Sequence, residues 1–212
     1  MKLNISFSSF KKNHKLKKDQ LIYKIKKCKD YKQVENIFNL LLVEKNSFIF
    51  ESVEKGTIRG RYTIIGLNPD KVWNINKNTI IETFEGEKKI IKEKPLNFLN
   101  NLIYKFNTKI PLNVPKMAAM LVGYFSYDII RYIENIPDKC SDDLRIPDVR
   151  MIRPKNLIIY DNLKKKIYFI ENIYGETKIK NYFEKYQSVQ KNFETYDDYS
   201  NCLLYTSPSP RD

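Results

Sequence analysis

Apolar and polar positions alternate with two periods along this chain, and the switch between them outlines the fold. Alternation predicts a strand at Gln20–Lys26 (QLIYKIK), and apolar runs predict strands at Phe48–Ser52 and Arg61–Leu67, the last closed by an Asn68-Pro69 turn. Lys71–Ile75 and Thr79–Phe84 read as a hairpin about Asn76–Asn78, and Lys88–Lys92 adds an edge strand. Ala118–Tyr124 reads as a further strand, with small residues at its start. Arg150–Tyr160 and Lys166–Glu171 form a last strand pair turning at Asp161–Lys165. Helical spacing takes over in five places. Phe7–Lys12 can form a short helical turn. Asp30–Val43 sets Val34, Ile37, Phe38, Leu41 and Leu42 on one face behind an Asp30 N-cap. Pro95 opens a helix whose apolar face is Leu96, Leu99, Leu102, Ile103 and Phe106. Thr177–Phe193 carries Ile179, Tyr182, Phe183 and Tyr186 on one face, and a shorter helix fits Asp128–Ile133. Pro111–Pro115 is a linker and Pro137–Asp148 a loop. Many antiparallel strands with interspersed helices predict an α+β fold, an antiparallel β-sheet sandwich layer flanked by helices, and not a doubly wound parallel sheet.

The length of 212 residues allows one domain, or one and a half, with a real core. No apolar stretch approaches the roughly 20 residues that span a bilayer. The N-terminal MKLNISFSSFKKNHKLKK has neither a long apolar core nor a small-residue cleavage site, so a cytoplasmic chain is expected, with no membrane partner. A net charge of +13 admits nucleic acid as a partner. The lysines are spread along the chain, however, and over-use of Lys, Asn, Ile, Tyr and Phe is what an AT-rich coding sequence produces. No nucleic-acid partner is therefore expected.

Residues 202–212, CLLYTSPSPRD, break the composition of everything before them. They resemble the conceptual translation of a sequencing-library adapter. The reading is a native domain over 1–201, followed by adapter read-through over 202–212, with a natural continuation missing after Asn201.

Little local chemistry offers catalysis. The six glycines are scattered and form no phosphate loop. The three cysteines, Cys28, Cys140 and Cys202, lack metal or disulfide spacing and read as passive thiols. His14 is the only histidine and falls in a lysine-rich stretch expected to be mobile, which leaves no basis for a histidine dyad. Glu51–Ser52 differs. An apolar strand ending in a carboxylate and a hydroxyl can present both at a pocket rim, where the carboxylate balances an ammonium. Phe48, Ile49 and Phe50 would supply apolar wall, which suits an α-amino acid. Spacing alone prefers a second reading, with Glu51 a solvated strand end and Ser52 the start of a turn.

The segment Ser47–Pro69, SFIFESVEKGTIRGRYTIIGLNP, resembles the opening signature of anthranilate synthase component I. Ala119–Asp128 (AMLVGYFSYD) resembles that family's G-Y-x-x-Y-D stretch, and Asp142–Asp148 (DDLRIPD) its D-D-L-x-x-P-D loop. Arg153-Pro154 and Leu157–Asp161 resemble the strand that follows. The likeness runs in order from Phe7 to Asn192 and matches the N-terminal, non-catalytic half of the family. Where the family often has Leu-Leu before Glu-Ser, this chain has Ile49-Phe50.

The resemblance implies a lyase that makes anthranilate from chorismate and ammonia or glutamine, at the entry to tryptophan biosynthesis. It implies Mg²⁺ and chorismate sites in a C-terminal half whose motifs do not occur here. No catalytic or metal residue is therefore assigned in this chain, and the chain alone is expected to be inactive. It implies that Ser52, with Glu51 beside it, binds L-tryptophan as feedback inhibitor. It also implies a glutamine amidotransferase subunit as partner in a hetero-oligomer. Two alternatives are the N-terminal domain of aminodeoxychorismate synthase component I, which shares the architecture, and a basic nucleic-acid-binding domain.

Overall fold

In the computed structural model, residues 3–28, 30–41, 45–51, 60–137 and 143–201 are described. The elements in order are α1 (Phe7–Lys15), β1 (Gln20–Lys27), α2 (Lys32–Leu41), β2 (Phe48–Phe50), β3 (Tyr62–Asn76), β4 (Thr79–Phe84) and β5 (Glu87–Ile91). They are followed by α3 (Pro95–Lys105), β6 (Val122–Phe125), β7 (Val149–Asp161), β8 (Lys166–Ile173) and α4 (Tyr182–Asn201). Short 3₁₀ turns occupy Lys116–Ala118 and Tyr127–Tyr132. The expected α+β class, helices with an antiparallel sheet, is what the chain forms. It folds as two units. The first takes Met1–Asn68, Ile110–Ala118 and Lys155–Asp212; the second takes Pro69–Lys109 and Ala119–Pro154.

In the first unit, β1 pairs antiparallel with β8 from Gln20↔Ile173 to Lys27↔Lys166, and β8 pairs with β7 from Asn156↔Glu171 to Asp161↔Lys166. Helices α1, α2 and α4 pack into a core of Phe10, Ile22, Ile37, Ile65, Phe169, Val189 and Phe193. Each such side chain contributes roughly 1.5–3 kcal/mol by leaving water. The buried residues of α4 are Val189, Phe193, Tyr196 and Ser200, one per turn along a single face. Asn181 starts this helix, its Oδ1 accepting from the backbone N–H of Phe183 at 3.0 Å and of Glu184 at 3.3 Å. The sequence pattern had placed the start at Thr177 and Phe183 on the buried face. The helix instead begins at Tyr182, and Phe183 is exposed. His14, expected in a mobile stretch, is buried on α1 with Nδ1 3.1 Å from the Tyr182 hydroxyl.

In the second unit, the last part of β3 pairs with β4 from Lys71↔Phe84 to Asn76↔Thr79, and β4 with β5 from Ile80↔Ile91 to Phe84↔Glu87. The β4–β5 turn is Glu85-Gly86, with φ of 50° and 88°. Positive φ at both centres is the primed hairpin turn that suits twisted strands, and Gly86 takes it without strain. β6 pairs with β7 from Val122↔Ile152 to Phe125↔Val149. Trp73, Ile75, Ile80, Phe98, Leu99 and Val149 form the core. Phe98 takes the buried place on α3 that helical spacing gave to Ile103, which is exposed.

Two expected breaks in the strands are absent. β3 continues through Asn68-Pro69, where a turn was expected. Asn68 absorbs the irregularity at φ 49°, and its Nδ2 donates to Asn156 Oδ1 at 3.3 Å. A left-handed residue before proline makes a kink within a strand as readily as a turn. Likewise β7 runs through Pro154, which falls between the residues paired with β6 and those paired with β8. A residue with no N–H is tolerated there. The strand expected over Ala118–Tyr124 is shorter, with Ala118 in a 3₁₀ turn, and the helix expected at Asp128–Ile133 is itself 3₁₀. No helix among the described residues is long and apolar enough to cross a membrane.

Candidate functional site

The Glu51–Ser52 step lies at the end of β2. Strand β2 pairs with β3 through Phe48↔Gly66, Ile49↔Ile65 and Phe50↔Ile64. Alternate residues of a strand face opposite ways. Phe48 and Phe50 share one face, with ring centroids 5.0 Å apart. Ile49 packs on the other, against the first unit's core. The expected wall of three apolar residues is therefore split between the two faces. Gly66 makes room for the aromatic pair: a Cβ there would lie 2.0 Å from Phe48 Cε1. Phe50 stays half exposed.

Glu51 is exposed and follows directly. Its Oε1 accepts a short hydrogen bond from the Tyr31 hydroxyl. Tyr31 immediately precedes α2, and its oxygen is also 3.5 Å from Thr63 Oγ1 on β3. The Tyr31 ring stands 5.5 Å from the Tyr160 ring and 6.5 Å from that of Phe38, both core residues. Burial first, and the Glu51 carboxylate second, push the phenol up to about 12, so it remains a donor at every physiological pH. A carboxylate that has accepted one such bond keeps lone pairs for a cation. Ser52 lies outside the described residues, as do Lys55 and Gly56.

Arg61 and Asp161 are also joined in the first unit. The guanidinium donates through Nε at 3.2 Å and Nη2 at 2.9 Å to the two oxygens of the buried Asp161. Burial pushes the Asp161 carboxyl up, but Arg61 and the N–H groups of Lys164 and Leu163 outweigh it and hold it below the usual range. The same carboxylate shapes the β7–β8 turn, accepting from Leu163 N at 3.1 Å and Lys164 N at 3.0 Å. Tyr31 carries no signal in the sequence, and Asp161 reads only as the start of a turn and the end of a family-like strand, not as the partner of Arg61. Their partners are 20 and 100 positions away, so neither pairing shows in local sequence.

The segments Ala119–Asp128 and Asp142–Asp148 are joined by a hydrogen bond in the second unit. Ser126 N donates to Asp148 O at 2.7 Å. Asp148 Oδ2 accepts from Lys77 N at 2.7 Å and from the Tyr132 hydroxyl at 2.6 Å. Asp142 and Cys140 lie outside the described residues; Cys28 is buried, and its thiol donates to Asp30 O at 3.1 Å. Among the described residues no three His, Cys, Asp or Glu side chains are grouped to hold a metal ion.

These features define an α+β protein whose candidate site is a strand end suited to holding a cationic group. The fold has a counterpart in a crystal structure of anthranilate synthase component I from Streptococcus pneumoniae TIGR4. The TM-score is 0.51 and the identity 22%, covering 76% of this chain and 34% of that one. Anthranilate synthase component 1 of Acetivibrio thermocellus is 37% identical over 128 residues, which is 60% of this chain and 26% of that protein. The same protein of Acinetobacter calcoaceticus is 32% identical over 187 residues, 82% of this chain and 35% of the relative. No protein-family model matches. By these similarities the chain belongs to the anthranilate synthase component I family. It spans only about a quarter to a third of the length of the relatives it matches.

Proposed function

We propose that this chain is the N-terminal, regulatory part of an anthranilate synthase component I, and that Glu51 and Ser52 contribute to a feedback site for L-tryptophan. The observation that carries the reading is the end of β2. A fixed carboxylate, Glu51, directly follows an aromatic pair, Phe48 and Phe50, inside the segment that resembles the family's opening signature. An indole ring calls for aromatic surface, and an α-ammonium calls for a carboxylate.

The complete protein would make anthranilate from chorismate and ammonia in the cytoplasm. A glutamine amidotransferase subunit would deliver the ammonia. The chemistry, with its Mg²⁺, belongs to the part of the family that this chain does not span. Tryptophan would favour a state that binds chorismate poorly, a coupling of about 1–3 kcal/mol.

The test joins residues 1–201 to the rest of the Acinetobacter calcoaceticus relative. That chimaera is expected to turn over chorismate and to be inhibited by tryptophan. Its Ser52→Phe variant should keep turnover and lose inhibition. Undiminished inhibition in that variant refutes the assignment. Should the chimaera not fold, amide NMR of the 212-residue chain with added L-tryptophan serves instead. Shifts should then centre on Glu51, and their absence refutes the reading.

A further inference from the structure

Glu51 is an exposed side chain at a strand end, and such a carboxylate ordinarily samples several rotamers. Here it does not hang free. Its Oε1 accepts a hydrogen bond from Tyr31, whose ring contacts those of Tyr160 and Phe38, and whose oxygen has Thr63 as a second neighbour. The donor is thus pre-organised by the core, and it pins one oxygen of an otherwise mobile group.

We propose that Tyr31 is a positioning residue for ligand recognition: it fixes the Glu51 carboxylate so that the remaining oxygen, Oε2, faces the ammonium of a bound amino acid. The proposal rests on the tryptophan reading above and adds to it the residue that gives preference for a free α-ammonium. Fixing a group before binding reduces the ordering cost at the moment of association. Tyr31 does this without touching the ligand. Because burial and Glu51 together keep the phenol protonated, the hold persists over the whole working pH range. The same bond ties the end of β2 to the start of α2, so ligand contact at Glu51 would be felt at the head of that helix.

The experiment compares L-tryptophan with indole-3-propionate, the same ring and carboxylate without the ammonium, by NMR titration of the whole chain. Wild type should prefer L-tryptophan. Tyr31→Phe keeps the ring and removes the donor, and should weaken L-tryptophan about 5- to 20-fold while leaving indole-3-propionate unchanged. Glu51→Gln should abolish the preference, and adding Tyr31→Phe to it should then change nothing more. An undiminished preference in Tyr31→Phe overturns the positioning role, and so does an equal loss for both ligands. A wild-type chain that binds neither ligand overturns the tryptophan reading itself.

Discussion

Asp70 and Arg153 face each other in the second unit as a two-point ion pair, Nε to Oδ1 at 2.9 Å and Nη2 to Oδ2 at 2.6 Å. Their side chains are only 2% and 9% exposed. Removing one partner strands a buried charge, which typically costs about 3–5 kcal/mol. Asp70→Asn should therefore lower the urea midpoint strongly. Asp70→Leu combined with Arg153→Met should lower it much less, because the double change leaves no orphaned charge.

Gly66 and Phe48 make a steric test of the strand that carries the candidate site. A methyl at position 66 would lie 2.0 Å from Cε1 and 2.2 Å from Cζ of Phe48. Over-packing of this kind costs about 1–3 kcal/mol. Gly66→Ala is expected to destabilise by that order in chemical unfolding. In a Phe48→Leu background the penalty should shrink, since the ring that forbids the methyl is gone.

Asp161 contributes to the acid limb of stability. Its folded-state pKa lies below the ordinary carboxylate value, because Arg61 and the N–H groups of Lys164 and Leu163 together outweigh the upward push of burial. A group of this kind stabilises the fold above its unfolded pKa of about 4, and the contribution is lost as pH falls through the lower folded value. Arg61→Gln should raise the Asp161 pKa seen by carboxyl ¹³C NMR. It should also flatten the pH dependence of the melting temperature below about pH 4.

Asp148 ties Lys77 N and Tyr132 to one carboxylate oxygen in the second unit. Burial first, then Asp148, holds the Tyr132 phenol far above its ordinary range. Asp148→Ala should cost about 0.5–1.5 kcal/mol for each hydrogen bond it removes, one exposed and one partly buried. The Tyr132 phenol should then titrate at lower pH, read by its ultraviolet difference spectrum.

Elements fixed by local chemistry were legible in the sequence. The β7–β8 turn, the Pro95 start of α3 and the strand at β1 all follow from neighbours a few residues apart. The errors fall where a distant partner decides. Asn68-Pro69 looks like a turn until Asn156 is available across the strand. His14 looks solvent-borne until Tyr182 covers it. At the candidate site the sequence pointed to Glu51–Ser52 and its aromatic neighbours, but not to the split of those neighbours between two faces. Tyr31 went unseen because nothing local distinguishes it; only folding brings Glu51 to its hydroxyl.

The most direct measurement is an amide NMR titration of the 212-residue chain with L-tryptophan, alongside Glu51→Gln as control. Saturable shifts at Glu51, Phe50 and Tyr31, greatly weakened in Glu51→Gln, are the expected result. Titration without shifts at those residues, or with shifts that Glu51→Gln leaves intact, contradicts the assignment of a tryptophan site to this strand end.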